Sequence, residues 1–159
     1  MNEQPIVPPQ NLEAEASLLG ALLIDTDAIV KIADMVSTND FYDERHAHIY
    51  QAIKNLYDNH KPIDILTLTN ELRSSKQLDN VGGAAYLTQL TNFVPTAAHV
   101  EQYAEIVAQK SLRRRLIKAS QEIVKLGYDE EKGLQDLIEV AESRLFDVSQ
   151  KHVKQDIVS

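Results

Sequence analysis

LRRRLIKASQEIVKL (Leu112–Leu126) sets Leu112, Leu116, Ala119, Ile123 and Leu126 at spacings of 4, 3, 4 and 3, a heptad-like apolar seam along one side of a helix. LQDLIEVAESRLFDV (Leu134–Val148) repeats those spacings in Leu134, Ile138, Ala141, Leu145 and Val148. Between them, Gly127 to Gly133 is rich in turn and acidic residues. Two seams joined by so short a turn predict an antiparallel helical hairpin over 96–150. Its first helix is expected from an N-cap at Thr96 to about Leu126, roughly 30 residues or about 45 Å at 1.5 Å per residue. The hairpin carries more apolar side chains than one mutual seam can cover. Val100, Tyr103, Ile106, Val107, Ile117, Val124, Leu137 and Phe146 lie off the stripes or at their edges. Such a surplus would be exposed in a monomer, so the hairpin is also expected to be an oligomer interface. Its candidate residues are Leu112, Leu116, Ile123, Leu126, Leu134, Ile138 and Leu145.

Upstream, residues 11–95 read as a helical globular head, with no sustained two-residue alternation to compete. A first helix is expected over about Asn11 to Leu23, capped by Asn11, with a stripe of Leu12, Ala16, Leu19, Leu22 and Leu23 and with Glu13 and Glu15 in its first turns. A second should span about Asp27 to Val36 and a third Asp43 to Asn59, with Phe41 and Tyr42 wedged between helices. Asp64 can cap a fourth after Pro62. Gly82 and Gly83 should open a fifth and permit a close backbone approach. The fold class is therefore all-α: a compact helical head followed by a long antiparallel hairpin. Residues 1–10 read as a flexible arm and 151–159 as the start of a linker.

Charge divides the chain. Residues 1–109 hold 6 Lys and Arg against 15 Asp and Glu, a balance of −9, whereas residues 110–159 hold 10 against 9, a balance of +1. An acidic first part repels a phosphate backbone, so proteins are its expected partners. The longest apolar stretch, near Leu18 to Ile24, is far too short to span a membrane, and MNEQPIVPPQ has neither a positive nor an apolar leader region. With no cysteine, disulfides and thiolate metal sites drop out, which fits a cytoplasmic protein.

The chemistry expected is sparse. No G-x-x-x-x-G-K-[ST] loop occurs, so no nucleotide site and no ATP hydrolysis are expected of this chain. His46 and His48, two apart on a helix, point to different faces, and no metal, cofactor or catalytic constellation is expected; His46 reads as a packed, hydrogen-bonded residue. Lys110, Arg113, Arg114, Arg115 and Lys118 form the one basic cluster. It reads either as a patch facing DNA or an acidic partner, or as a hairpin face paired with Glu122, Glu139 and Glu142; scattering around the helix favours the second. Of the tyrosines, only Tyr128 in the expected hairpin turn is a candidate partner contact.

PPQNLEAEASLLGALLID (Pro8 to Asp25), FYDERHAHIYQAI (Phe41 to Ile53), PIDILTLTNEL (Pro62 to Leu72), VGGAAYLTQL (Val81 to Leu90) and YAEIVAQKSLRRRLI (Tyr103 to Ile117) follow one another in a fixed order. In that order and spacing, over about residues 6 to 150, the chain resembles the N-terminal domain of the DnaB-type replicative DNA helicase. His46 matches the histidine of that family's F-Y-x-x-x-H-x-x-I pattern, and Arg114 the arginine before L-I. The resemblance implies the collar of a hexameric ATP-dependent helicase, without its motor. Its partners would be further copies of itself, as a dimer and a trimer of dimers, then primase and a helicase loader, with DNA met only through the assembled ring. The end at Ser159, just beyond the hairpin, favours a piece of a longer protein. The competing reading is a helical nucleic-acid-binding module turning at Gly82-Gly83, against which the −9 balance stands.

Overall fold

Asn11 decides where the first helix starts. Its extended backbone leaves the side chain free to accept the Ala14 N–H at 2.9 Å, satisfying one of the donors a helix start leaves over. Helix α1 (Leu12–Ile24) follows, in a computed structural model that describes the backbone of residues 6–158 and the side chains of 6–150. Residues 1–5 of the expected arm and residue 159 of the expected linker lie outside the described residues. After α1 come α2 (Ala28–Ile32), a 3-10 turn (Thr38–Asp40), α3 (Glu44–Asp58), α4 (Ile65–Ser74), α5 (Gly83–Thr91), α6 (Val100–Tyr128) and α7 (Leu134–Val158). Among the described residues all regular structure is helical.

The run ASLLGALL makes α1 apolar on nearly every side, and every residue from Ala14 to Leu23 is buried. Leu12, expected on its inner stripe, is instead exposed at the helix start. Gly20 is where α1 meets α5, since a Cβ there would run into the Leu90 carbonyl oxygen. Gly82 makes a close approach as well, since a Cβ there would lie 2.9 Å from the Tyr86 Cβ, and Gly82 and Gly83 both take left-handed backbone, with φ of +103° and +71°. Phe41 does wedge inward and packs on Tyr50 with ring centroids 4.9 Å apart, but its neighbour Tyr42 is exposed. Helix α2 covers only the first half of the segment expected; beyond it the Met35 N–H reaches back three residues to the Ile32 carbonyl at 2.9 Å, a tighter turn than a helix makes. Helix α4 begins as read: Asp64 accepts the Thr67 N–H at 2.8 Å, and the Thr67 hydroxyl accepts the Asp64 N–H at 3.0 Å.

Two compact units emerge, residues 10–109 and, from Lys110 onward, the remainder of α6 with α7 and residues 6–9. The first unit extends past the expected limit at 95 because Val100, Ala104 and Val107 of α6 pack into its core, with Tyr103 and Ile106 against it. Val100 and Val107, surplus to the expected hairpin seam, are therefore core residues of the head. Thr96 caps a turn rather than a helix, accepting the Ala98 N–H at 3.1 Å, and α6 starts four residues later at Val100.

In the second unit α6 and α7 run side by side, with Arg144 Nε 2.8 Å from Glu122 Oε2. Ala119 is buried and Leu112, Ile123 and Leu126 are half-buried on α6, as its seam predicts. On α7 the half-buried residues are Leu137, Val140, Ala141 and Val148, with Arg144 on the same face reaching Glu122. Leu134, Ile138 and Leu145 of the expected seam are exposed. The segment holds two overlapping apolar stripes, and the ion pair goes with the one that periodicity alone did not select. Helix α7 continues past 150 to Val158, so 151–158 is helical.

Candidate assembly interface

The hairpin's uncovered side chains fall in groups set by helical spacing. Leu134, Ile138 and Leu145, at steps of four and seven, make one stripe on α7, with Leu134 82% exposed, while Phe146 stands on another side. On α6, Ile117 and Val124 are seven apart and share a face, and Leu116 lies at the edge of the seam. Fully burying a side chain of this size is worth about 1.5–3 kcal/mol, so together they represent a large unspent driving force. Of the candidate interface residues, Leu116, Leu134, Ile138 and Leu145 are exposed and Leu112, Ile123 and Leu126 are half-buried. The second group serves the hairpin's own seam.

The basic cluster does not act as one face. Arg114 Nη1 donates to the Pro9 carbonyl at 2.8 Å, and Arg115 Nη2 donates to the buried Ser111 hydroxyl at 2.8 Å, one turn earlier. Arg113 and Lys118 are exposed and Lys110 is half-buried. Glu122, expected to answer these cations, pairs with Arg144. Tyr128 is the last residue of α6 rather than a turn residue, and it is exposed.

A different kind of site lies within the head. Glu15 and His46 are each 2% exposed, and Glu15 Oε1 is 2.9 Å from His46 Nδ1. The Glu15 carboxylate also accepts the Tyr42 N–H at 2.8 Å and the Asp43 N–H at 3.3 Å, the last amides before α3. On the far side of the ring, His46 Nε2 is 2.6 Å from the Tyr86 hydroxyl. A carboxylate only accepts, so His46 carries a proton on the Nδ1 that faces Glu15, and its Nε2 shares a second hydrogen bond with the Tyr86 hydroxyl. One side chain each from α1, α3 and α5 is thereby locked together. Arg45 lays its guanidinium 4.6 Å from the Tyr86 ring centre and bonds Asp43 at 3.0 Å. Burial acts to raise the Asp43 carboxyl, but hydrogen bonds from the Arg45 side chain and backbone and the charges of His46 and Arg45 outweigh it, leaving it below its ordinary value. Burial pushes the Tyr86 phenol up, opposed by Arg45 and assisted by Asp43 and Glu15.

His46 is thus the packed, hydrogen-bonded residue its place on α3 suggested. Glu15 was read as a first-turn acid favouring the helix dipole, and its burial was missed; the available signal was a carboxylate inside the apolar run LEAEASLLGALL. Among the described residues no three His, Cys, Asp or Glu side chains gather as a metal site would require. No helix there is long and apolar enough to cross a membrane.

Residues 7–109 match the model of the DnaB-like helicase N-terminal domain. The chain belongs to that family. It is 41% identical over 145 residues to two curated relatives, the replicative DNA helicase DnaC of Bacillus subtilis and the replicative DNA helicase DnaB of Geobacillus stearothermophilus. Those alignments cover 91% of this chain but 32% of each relative, so the chain spans about a third of their length. Among solved structures, the N-terminal domain of DnaB helicase from Mycobacterium tuberculosis superposes with a TM-score of 0.85 at 39% identity, covering 89% of this chain and 99% of that one. A DnaB-like replicative helicase, solved in a study of its interactions with primase, shares the fold at a TM-score of 0.75 and 23% identity, over 89% of this chain and 31% of that one.

Proposed function

We propose that this DnaB-type N-terminal domain is the collar of a hexameric, ATP-dependent replicative DNA helicase, serving ring assembly and primase docking and supplying no motor of its own. The observation that carries it is the hairpin stripe Leu134, Ile138 and Leu145, left in solvent in a domain whose solved relative matches over nearly its full length. Pairing of hairpins covers that stripe and gives dimers; three dimers complete a ring, to which a loader also binds. Primase is recruited on a surface composed by two protomers, so its affinity is linked to dimer formation. DNA is met only within the assembled ring, in the cytoplasm. Without a phosphate loop in its sequence, the chain itself turns over no ATP.

Sedimentation equilibrium over a wide concentration range, followed by pull-down with the cognate primase's helicase-interaction domain, tests the proposal. Concentration-dependent dimers are expected, with primase retained by the parent chain and lost from a folded, monomeric Leu145→Asp variant. Equal primase binding by both chains removes the dependence on the dimer. A parent chain that stays monomeric at high concentration overturns the interface.

A further inference from the structure

We propose that the N-terminal arm is a strap of the dimer, tied to its own α6 by Arg114 and laying Ile6 and Val7 on the hairpin of a second copy of this chain. The inference rests on the hairpin being the self-association surface, and extends that surface to a segment outside it.

Ile6 is 92% exposed and Val7 63% exposed, an uncovered aliphatic pair ahead of Pro8-Pro9. Each proline ring fixes φ near −65°, and Pro8 keeps Val7 out of the helical region, so the pair sits on an extended, stiff stretch before any partner arrives. Little ordering entropy is then left to oppose docking. The base of that stretch is pinned: Arg114 Nη1 donates to the Pro9 carbonyl at 2.8 Å, a charge-assisted bond from the middle of α6. Val7 is two residues from the anchor, within about 7 Å at roughly 3.5 Å per residue.

The same anchor lies just before Leu116 and Ile117, which are also uncovered. Ile6 and Val7 do not cover Leu116 and Ile117, since all four are exposed. A second copy fits this surface better than an acidic or a strongly basic partner would. Residues 110–159 carry 10 Lys and Arg against 9 Asp and Glu, so two such hairpins do not repel one another, whereas the first 109 residues, at −9, would. In a two-fold dimer each arm would cross to the partner's hairpin and receive the partner's arm in return.

The test is sedimentation equilibrium on the full chain, comparing the parent with Ile6→Asp/Val7→Asp, with Arg114→Gln, with all three changes together, and with Leu145→Asp as a reference. Weakening of the dimer by about tenfold or more is expected for the arm pair and for Arg114→Gln, with the triple variant no weaker than the arm pair, since Arg114 acts through the arm. Head melting should not move in the arm pair. A parent-like dissociation constant for the arm pair, while Leu145→Asp dissociates, overturns the strap and leaves the hairpin interface standing. A parent-like constant for Leu145→Asp as well removes both.

Discussion

The head and the hairpin of this chain solve the burial problem in opposite ways. In the head, Leu18, Leu19, Ile29, Ile49, Tyr50, Leu68, Leu87 and Leu90 are essentially inaccessible. Even a buried carboxylate there has its acceptor positions met by two amides and an imidazole. In the hairpin, Leu134, Ile138, Leu145 and Phe146 are exposed, while α6 and α7 meet through a thinner seam and the Arg144–Glu122 bridge. Exposed ion pairs of that sort contribute at most about 1 kcal/mol, so the seam rather than the bridge holds the helices. The contrast separates a part that completes its own core from a part that leaves apolar side chains in solvent. Substitutions in the head should be read in melting, and those in the hairpin in association.

The largest break is expected at Glu15→Ala. It strands the His46 ring and the Tyr42 and Asp43 backbone amides at once, and leaving a buried polar group without its partner costs about 1–3 kcal/mol each. Thermal melting followed by circular dichroism should show the head unfolding early. Glu15→Gln, which keeps one acceptor oxygen, should recover part of the loss. A parent-like melting curve for Glu15→Ala would mean the network is not holding α1, α3 and α5 together.

One substitution made in both regions should change sign. Gly20→Ala places a methyl against the Leu90 carbonyl, so α1 and α5 must shift, at a cost of about 1–3 kcal/mol. Gly127→Ala, near the end of α6, meets nothing within 4 Å and should stabilise by about 0.5–1 kcal/mol through helix propensity alone. Denaturant titration of the two variants decides it; equal effects would erase the packing difference between the regions.

Acid sharpens the same contrast more gently. The Asp43 carboxyl is held below its ordinary value by Arg45, so its contribution is present above the unfolded value of 3.8 and is lost as pH falls through the lower, folded one. Asp43→Asn should therefore flatten the head's loss of stability below about pH 4 and leave the hairpin's helicity unaffected. Urea titrations from neutral to acid pH read this directly, and an unchanged acid slope would count against the Arg45 pairing.

What could be read from sequence follows where a single local rule dominates. Asn11 and Asp64 cap as written, because the side-chain acceptor lies within three residues of the amide it satisfies. The α6 seam holds at Leu112, Ala119, Ile123 and Leu126 but not at Leu116, which is exposed at its edge. Where two rules compete, the sequence is silent. Thr96 could cap a helix or a turn, and its bond to Ala98 chose the turn. Helix α7 offers two stripes, and the reach of Arg144 to Glu122 belongs to the unpredicted one. The role of Glu15 was illegible because its partners lie 27 to 31 residues away.

The smallest expected effect on the fold, and the sharpest test of the comparison, is Ile138→Asp. Ile138 is already more than half in solvent, so replacing it removes little burial from the monomer, and a surface change of this kind falls within about 0.5 kcal/mol. The helix should tolerate it as well, because Asp136 and Glu139 already place charge on neighbouring positions of α7 without disturbing it. At a concentration where the parent dimerises, however, two such carboxylates would be carried into an apolar contact without partners, which association cannot bear. Melting of the dilute monomer should match the parent while the weight-average mass at high concentration falls to that of one chain. If the mass holds at the parent value, the stripe of Leu134, Ile138 and Leu145 is not where the copies meet, and the exposed apolar surface of α6 at Ile117 and Val124 becomes the surface to substitute next.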